Sequence, residues 1–526
     1  MTTDIQRYYA VSDTRKMYSF LFIPAIIATI STFFIYLWFK RKFSYWKKKG
    51  VPGPKPSFPF GNVRDVIKRK KQIFQPYCDA YFQYKKNPLV GLYCFNIPVL
   101  CVNDLELAKH ILIKDYDYFQ SHGVFSSSET SDPLGGHLFH IHGPKWKSLR
   151  SKLSPTFSPA KLKSLFPHVK KAAEEGLEYG DLMYENGTPI NFTDFYGKYA
   201  LEIVGNVGFG IKNDGFKRGE TEFHGRCRQF FEYTSKYWTI IRGIAFFAPE
   251  FFKKFGLKRT DPVINNFFYN LVKNGVEYRK TNNYRRKDFL QRLIDLMDTD
   301  NSLQSEAGSH SFTLIDVVAN TMLYLFAGYE TSATTGRYAA YELAKNPDVQ
   351  SKAREEILRV LAKHNGQCTY EAQNEMTYMN MVLEETLRKY PPLRALFRRC
   401  NEDYKVPNTD IVIDKGTLLF IPIQAIQMDP DIFEDPDEFD PERFTPEKKT
   451  TMHQCQWMPF GEGPKKCLGV RQGYIQSKMA LVLLLSKYEL CLNERTENPL
   501  KVNPSAFSYS PLGGIWINLK RIDQTS

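Results

Sequence analysis

Apolar positions along this chain recur mostly at helical spacing. Repeats every three or four residues predict helices over 69–84, 142–153, 159–180, 261–298, 312–345, 371–389 and 470–487. Short apolar runs bounded by turn residues predict strands at 89–93, 99–102, 417–421 and 508–518. Between Asp429 and Pro459 neither period survives, and Pro, Asp and Glu crowd the segment, as in an ordered meander without regular structure. The pattern predicts a mainly α body with a small β-rich part, free of repeats and low-complexity tracts.

The N-terminus departs from this amphipathic pattern. Residues 17–39 carry no charge over 23 positions, enough to cross a bilayer with some tilt. Tyr36 and Trp38 stand at the end beside a basic cluster, where interfacial aromatics belong. The stretch is too long for a signal-peptide core and lacks a small-residue cleavage site, which favours an uncleaved anchor. Six Lys/Arg follow the span within ten positions against three before it. By the positive-inside rule residues 1–16 are lumenal, 17–39 cross the membrane and the remainder is cytosolic. In that topology the sequons Asn186-Gly187-Thr188 and Asn191-Phe192-Thr193 stay unmodified. Residues 40–56 are basic and then Pro-rich, a stiff linker to the body at 57–526.

Composition adds little: 43% hydrophobic and 24% charged residues are ordinary for a globular protein. The 40 Phe and 31 Tyr suit either an aromatic-rich core or a pocket for a flat apolar ligand. Half of the net charge of +14 lies in the first fifty residues, beside the apolar span. That points to membrane lipid, and no motif supports nucleic-acid binding. The nine cysteines are odd in number and scattered, as free thiols in a reducing compartment are. Residues 244–256 form an aromatic, lysine-studded segment that either dips into the lipid interface or packs on the core.

The chemistry concentrates in Phe460-Gly461-Glu462-Gly463-Pro464-Lys465-Lys466-Cys467-Leu468-Gly469. Two glycines and a proline make a rigid turn that sets Cys467 just before a helix, whose free N–H groups and dipole favour a thiolate. Gly469 leaves room for a flat macrocycle, and Phe460 is placed to shield the sulfur. A buried structural cysteine is one alternative. A zinc site from His453, Cys455 and Cys467 is another, although its spacing is not that of a metal finger. A second segment, Ala327-Gly328-Tyr329-Glu330-Thr331-Ser332, puts a glycine, an acid and an alcohol inside a long apolar helix, where each is costly. Glu385 and Arg388 stand at i and i+3 on one helix face, and Asp440-Pro441-Glu442-Arg443-Phe444 follows later. Trp146 and Arg150 share another helix face at i and i+4.

The cysteine decamer resembles the haem-binding signature of the cytochrome P-450 superfamily at every fixed position, and the other segments match its oxygen-activating, ExxR, PERF and WxxxR elements in order. The likeness spans roughly residues 51–515 and is closest to the animal microsomal group of drug-metabolising and insect detoxification enzymes. It implies the cytochrome P-450 fold behind a single N-terminal transmembrane helix in the endoplasmic reticulum membrane. It also implies haem b with Cys467 as the iron ligand. Phe460, Gly469, Ala327 and Gly328 then contact the cofactor, while Trp146, Arg150, Arg398 and Lys465 reach its propionates, with His122 a further contact. Lys465 departs from the usual Arg or His, keeping the charge but losing the bidentate fork. Thr331 and Glu330 would relay protons to dioxygen, and Glu385, Arg388 and Arg443 would form a buried network behind the haem.

The implied reaction is mono-oxygenation of a lipophilic small molecule, whether xenobiotic, hormone or lipid. Electrons would come from an NADPH-dependent flavoprotein reductase, with cytochrome b5 as a second donor. Lys465, Lys466 and Arg471 would offer a basic docking face. Residues 119–136 and 226–256 would line the pocket. A haem-thiolate isomerase or dehydratase, needing no reductase, and a non-catalytic haem-binding protein are the alternatives.

Overall fold

The computed structural model describes residues 24–124, 135–231, 261–302 and 312–522, with five further positions between 231 and 261. Its first part runs through α1 (Gln75–Gln83), β1 (Leu89–Cys94), β2 (Ile97–Val102), α2 (Gly143–Leu153) and α3 (Pro159–Glu185). Then come β3 (Ile190–Asn191), α4 (Phe192–Val204), α5 (Glu222–Phe231), α6 (Pro262–Thr281), α7 (Phe289–Ser302) and the 32-residue α8 (Leu314–Lys345). The last part holds α9 (Pro347–Lys363), α10 (Tyr370–Glu375), α11 (Thr377–Lys389), β4 (Leu396–Arg399), β5 (Leu418–Ile421), α12 (Val470–Leu485), β6 (Tyr488–Leu492) and β7 (Trp516–Arg521). The expected mainly α architecture with a small β part is what forms.

Helix α8 is the axis of the body. Thr313 and Asp316 close a reciprocal capping box at its start, which satisfies two N-terminal donors. Residues 332–343 of α8 are buried throughout, between α4 on one side and α12 on the other. Gly336 makes the first contact: a Cβ there would sit 2.1 Å from the Tyr196 ring of α4, so only glycine lets the helices approach this closely.

The larger sheet has the order β1-β2-β5-β4. β1 and β2 form an antiparallel hairpin, β2 runs parallel to β5 with Val99 opposite Leu418, and β4 closes antiparallel with Leu396 opposite Ile421. All residues of β1 and β5 are buried, as expected for a sheet covered on both faces. The expected linker is fastened to this sheet. Gly91 donates its N–H to Pro52 O at 2.8 Å, and the Trp46 indole donates to Leu92 O at 2.9 Å.

Several expected boundaries move. The helix expected over 261–298 is two, α6 and α7, because Asn283 turns the chain at a φ of 48° and a buried Arg279–Asp288 ion pair at 2.6 Å spans the break. The stretch 371–389 divides at Met376 into α10 and α11. The late strand begins only at Trp516, since residues 503–511 fold back on themselves, with Asn503 N donating to Ser510 O at 2.8 Å.

Residues 24–42 are helical, and Ile26, Ile27, Ile30, Phe33 and Phe34 are exposed on them. Among the described residues no helix is long and apolar enough to cross a membrane, and residues 17–23 of the expected span lie outside them. Most of 244–256 also lies outside. Its Phe246 is buried, 5.6 Å from the Phe397 ring and 6.2 Å from that of Phe420. All nine cysteines are free.

Candidate active site

A cavity of about 1170 Å³ opens beside α8 and is bounded by α2, the cysteine loop, residues 135–140, β4 and the fold-back at 503–510. It is lined by Cys467, Phe460, Lys465, Gly469, Trp146, Arg150, Arg398, His122, Ala327, Gly328, Glu330 and Thr331, all named from the sequence. These residues come from segments more than three hundred positions apart, and the fold brings them around one cavity.

The cysteine loop is held by its own backbone. Cys467 N donates to Phe460 O at 2.9 Å, and Lys466 N to Gly463 O at 3.0 Å. Gly463 has φ +73°, and a Cβ on it would strike Leu112 O at 2.0 Å, so glycine is required twice over. Cys467 is open to the cavity yet enclosed by protein. Burial pushes its thiol up, while the Gly469 N–H and the Arg150 charge pull it down. His453 instead pairs with Glu106 at 2.9 Å, and among the described residues no three potential ligands gather, so the zinc alternative is not built.

Three cations converge beside the thiol without an acidic partner among the described residues. Arg398 is 2% exposed; it donates to Phe397 O at 2.8 Å and bonds His122 Nδ1 at 3.1 Å, but its Nε has no partner. Lys465 lies 4.0 Å from the centre of the Trp146 ring and donates to Ile141 O at 3.1 Å. Burial, then the Arg398 and Arg150 charges, push the Lys465 ammonium down to about 6. Burial and Arg398 likewise hold His122 well below its usual value. Arg150 donates to Lys466 O at 2.6 Å. Basic groups buried together, one of them held far below its usual value and one with an orphaned donor, keep their charge only beside an anion. A flat group carrying two carboxylates, seated against the Cys467 thiol, meets that need, so these residues fit haem. The inward placement of Lys465 also corrects one expectation: it is buried and cannot serve an external docking face, whereas Lys466 and Arg471 remain exposed.

Helix α8 presents Glu330 and Thr331 to the same cavity, and the two side chains do not meet. The Thr331 hydroxyl donates back to Ala327 O. Glu330 Oε1 accepts from Arg337 Nη2 and from the Ser508 hydroxyl, each at 2.7 Å. Gly328 has a packing role as well, since a Cβ there would lie 3.1 Å from Val204 on α4, and its carbonyl accepts from Gln476 of α12 at 3.0 Å. Of the expected pocket segments, Gly135, Arg228, Phe230 and Phe231 line the cavity, while 125–134 and 232–240 lie outside the described residues.

Glu385, Arg388 and Arg443 form the expected network outside the cavity. Arg388 meets both Glu385 oxygens, at 2.7 and 2.8 Å, and donates further to Gln427 O at 2.9 Å and Pro436 O at 2.7 Å. Arg443 Nε lies 3.5 Å from Glu385, and Asp440 N donates to the same carboxylate at 3.0 Å. Both Glu385 and Arg388 are fully buried. Gln427 carries the support onward by accepting from Met458 N at 3.0 Å, just before the cysteine loop. Sequence reasoning missed Arg337 and Ser508. A cation seven residues beyond Glu330, with Thr334 between them on the same helix face, was the available signal for Arg337.

Residues 51–517 match the family described as Cytochrome P450. The chain is 35% identical to probable cytochrome P450 6a14 of Drosophila melanogaster, over 91% of this chain and 96% of that one. It is 34% identical both to cytochrome P450 6A1 of Musca domestica, over 95% of this chain and 98% of that one, and to cytochrome P450 6B1 of Papilio polyxenes, over 95% and 100%. A thiol, a cation trio and a buried Glu–Arg network in this arrangement, with a family match across nearly the whole chain, lead to one statement: the chain belongs to the cytochrome P450 family of haem-thiolate mono-oxygenases.

Proposed function

We propose that the protein inserts one atom of dioxygen into a lipophilic xenobiotic, with two electrons drawn from an NADPH-dependent flavoprotein reductase and cytochrome b5 as an accessory donor. The observation that carries this reading is the convergence of the Cys467 thiol, the Arg150–Arg398–Lys465 cations and the Glu330/Thr331 pair on one cavity. When bound, the haem supplies the iron on which dioxygen is reductively activated, with the thiolate donating electron density to it. The chain's own residues do the rest. The rigid loop fixes Cys467, Gly469 keeps the sulfur side free of a side chain, and Phe460 covers the loop from water. Arg398, Arg150 and Lys465 orient the cofactor by its carboxylates, with Lys465 holding less firmly than a bidentate Arg would. Glu330 accepts protons from solvent and passes them toward the Thr331 hydroxyl, which must leave Ala327 O to act.

An aromatic wall suits an apolar, ring-bearing substrate. Phe230 and Phe326 stack at 4.3 Å, and Phe231 meets Tyr329 at 4.9 Å. We place residues 17–39 across the endoplasmic reticulum membrane, with the body cytosolic, on the strength of the uncharged run and the basic cluster that follows. Lys466 and Arg471 give the reductase a basic surface next to the cysteine loop. The test is the carbon monoxide difference spectrum of the dithionite-reduced protein beside Cys467→Ala. A strongly red-shifted Soret band, absent in the variant, is expected; a band at the histidine-ligated position overturns the assignment.

A further inference from the structure

Glu330 is tied to a part of the chain that faces the substrate. Its Oε1 collects the contacts: Arg337 Nη2 at 2.7 Å, the Ser508 hydroxyl at 2.7 Å and the Thr334 hydroxyl at 3.4 Å. Arg337 is 3% exposed, and the same Nη2 also donates to Thr334 Oγ1 at 2.7 Å and Tyr509 O at 3.4 Å. Its Nε is buried without a partner. Arg337 therefore fixes one edge of the carboxylate from within α8. Ser508 fixes it from outside, across 178 residues of sequence.

Ser508 does not sit on a passive strut. Ser505, Ala506, Phe507 and Ser508 all line the cavity. The fold-back is pinned on each side of Ser508. Gln72 donates to Phe507 O at 2.8 Å, and Tyr509 N donates to Pro392 O at 3.0 Å while its ring stacks 5.7 Å from that of Tyr390. Between these pins the backbone is held, and what is left to answer an occupant of the cavity is the Ser508 side chain, whose hydroxyl holds Glu330. On the other side of Glu330, Thr331 is turned to Ala327 O, so the acid and the alcohol are held apart by two separate sets of bonds.

We infer that Ser508 is a positioning residue that couples occupancy of the cavity to proton delivery. Substrate pressing on residues 505–508 shifts the Ser508 hydroxyl, and the Glu330 carboxylate, released on that side, swings toward Thr331. In one turnover two electrons from the reductase and two protons reduce dioxygen, one oxygen atom entering the substrate and the other leaving as water. Glu330 takes each proton from solvent, gives it up toward Thr331 and returns to carboxylate. An empty cavity keeps the acid on Ser508, which limits wasteful reduction of dioxygen to peroxide. The inference rests on the relay reading of Glu330 and Thr331 given above.

The experiment uses the full chain with its reductase in phosphatidylcholine vesicles, with 7-ethoxycoumarin as the lipophilic probe. It compares wild type, Ser508→Ala, Ser508→Thr, Glu330→Gln and the Ser508→Ala/Glu330→Gln double variant, each normalised to its carbon monoxide band. NADPH oxidation, hydrogen peroxide release and the solvent isotope effect on oxidation are read with and without probe. Ser508→Ala is expected to raise peroxide per NADPH without probe about threefold to tenfold, the scale of one ordinary hydrogen bond, and to remove most of its dependence on the probe. Ser508→Thr restores the wild-type pattern. In the double variant the serine change adds nothing to Glu330→Gln, because the two act through one carboxylate. If Glu330→Gln raises the isotope effect while Ser508→Ala leaves peroxide release unchanged, the coupling is overturned and the relay stands. Additive effects in the double variant also overturn it, assigning Ser508 to packing alone. If Glu330→Gln itself changes nothing, the relay reading falls, and the coupling with it.

Discussion

Two arginine–carboxylate pairs, both rooted on helices near the cavity, are built to opposite standards. In Glu385–Arg388 the guanidinium meets both carboxylate oxygens, donates to three further carbonyls and is fully buried. In Glu330–Arg337 a single nitrogen meets a single oxygen, the arginine Nε is left over, and the carboxylate borders the cavity. A saturated buried pair cannot shift without stranding charges in a low-dielectric interior. A pair held at one edge can. The first pair suits a frame that sets the meander and, through Gln427, the approach to the cysteine loop. The second suits a group that has to move.

The comparison can be broken most severely at Glu385. Glu385→Ala leaves Arg388 and Arg443 without their carboxylate, at a cost of about 3–5 kcal/mol, and is expected to abolish haem incorporation. A reduced carbon monoxide band of wild-type amplitude would show that the network is not a frame at all. Arg337→Met makes the same cut in the other pair, and the smaller penalty of about 1–3 kcal/mol follows from the partly open site. That variant is expected to keep its haem band and lose product per NADPH oxidised; loss of the band instead would place both pairs in the frame. The smallest effect is expected from Lys465→Arg, which gives the cation trio a fork in place of a point charge. Haem transfer to apomyoglobin should slow a few-fold, about 0.5–1 kcal/mol. Faster transfer would mean that the Lys465 ammonium over Trp146 is worth more than a second hydrogen bond.

The frame was far more legible in the sequence than the moving part. Glu385 and Arg388 stand three apart on one helix, which fixes that they face each other, and Cys467 ends a tight turn; Arg443 joined them only through the resemblance to the family's PERF element. Helix α8 was found within two residues because its apolar period is long and capped. Helix α4 was missed because nine of its thirteen residues are buried and its remaining positions, Thr193, Asp194, Gly197 and Lys198, are confined to its first half, too short a stretch to mark a period. Strand β4 was missed because Arg398, pointing inward, breaks the apolar run that would signal it. Ser508 fell inside an expected strand, and nothing local could show that its hydroxyl reaches Glu330. Long-range pairs of ordinary polar residues leave no trace in spacing; they exist only once the chain is folded.

The parallel pairing of β2 with β5 sets a timetable for synthesis. Val99 leaves the ribosome roughly three hundred residues before its partner Leu418, an interval on the order of tens of seconds at ordinary elongation rates. Throughout it the β1–β2 hairpin, apolar on both faces, has an unpaired edge and must be shielded from other nascent chains. Cys467 emerges later still, so cofactor loading is a terminal event. A translation arrest between the end of α8 and Cys467 would release a chain with a completed α8 and no thiol to hold a haem.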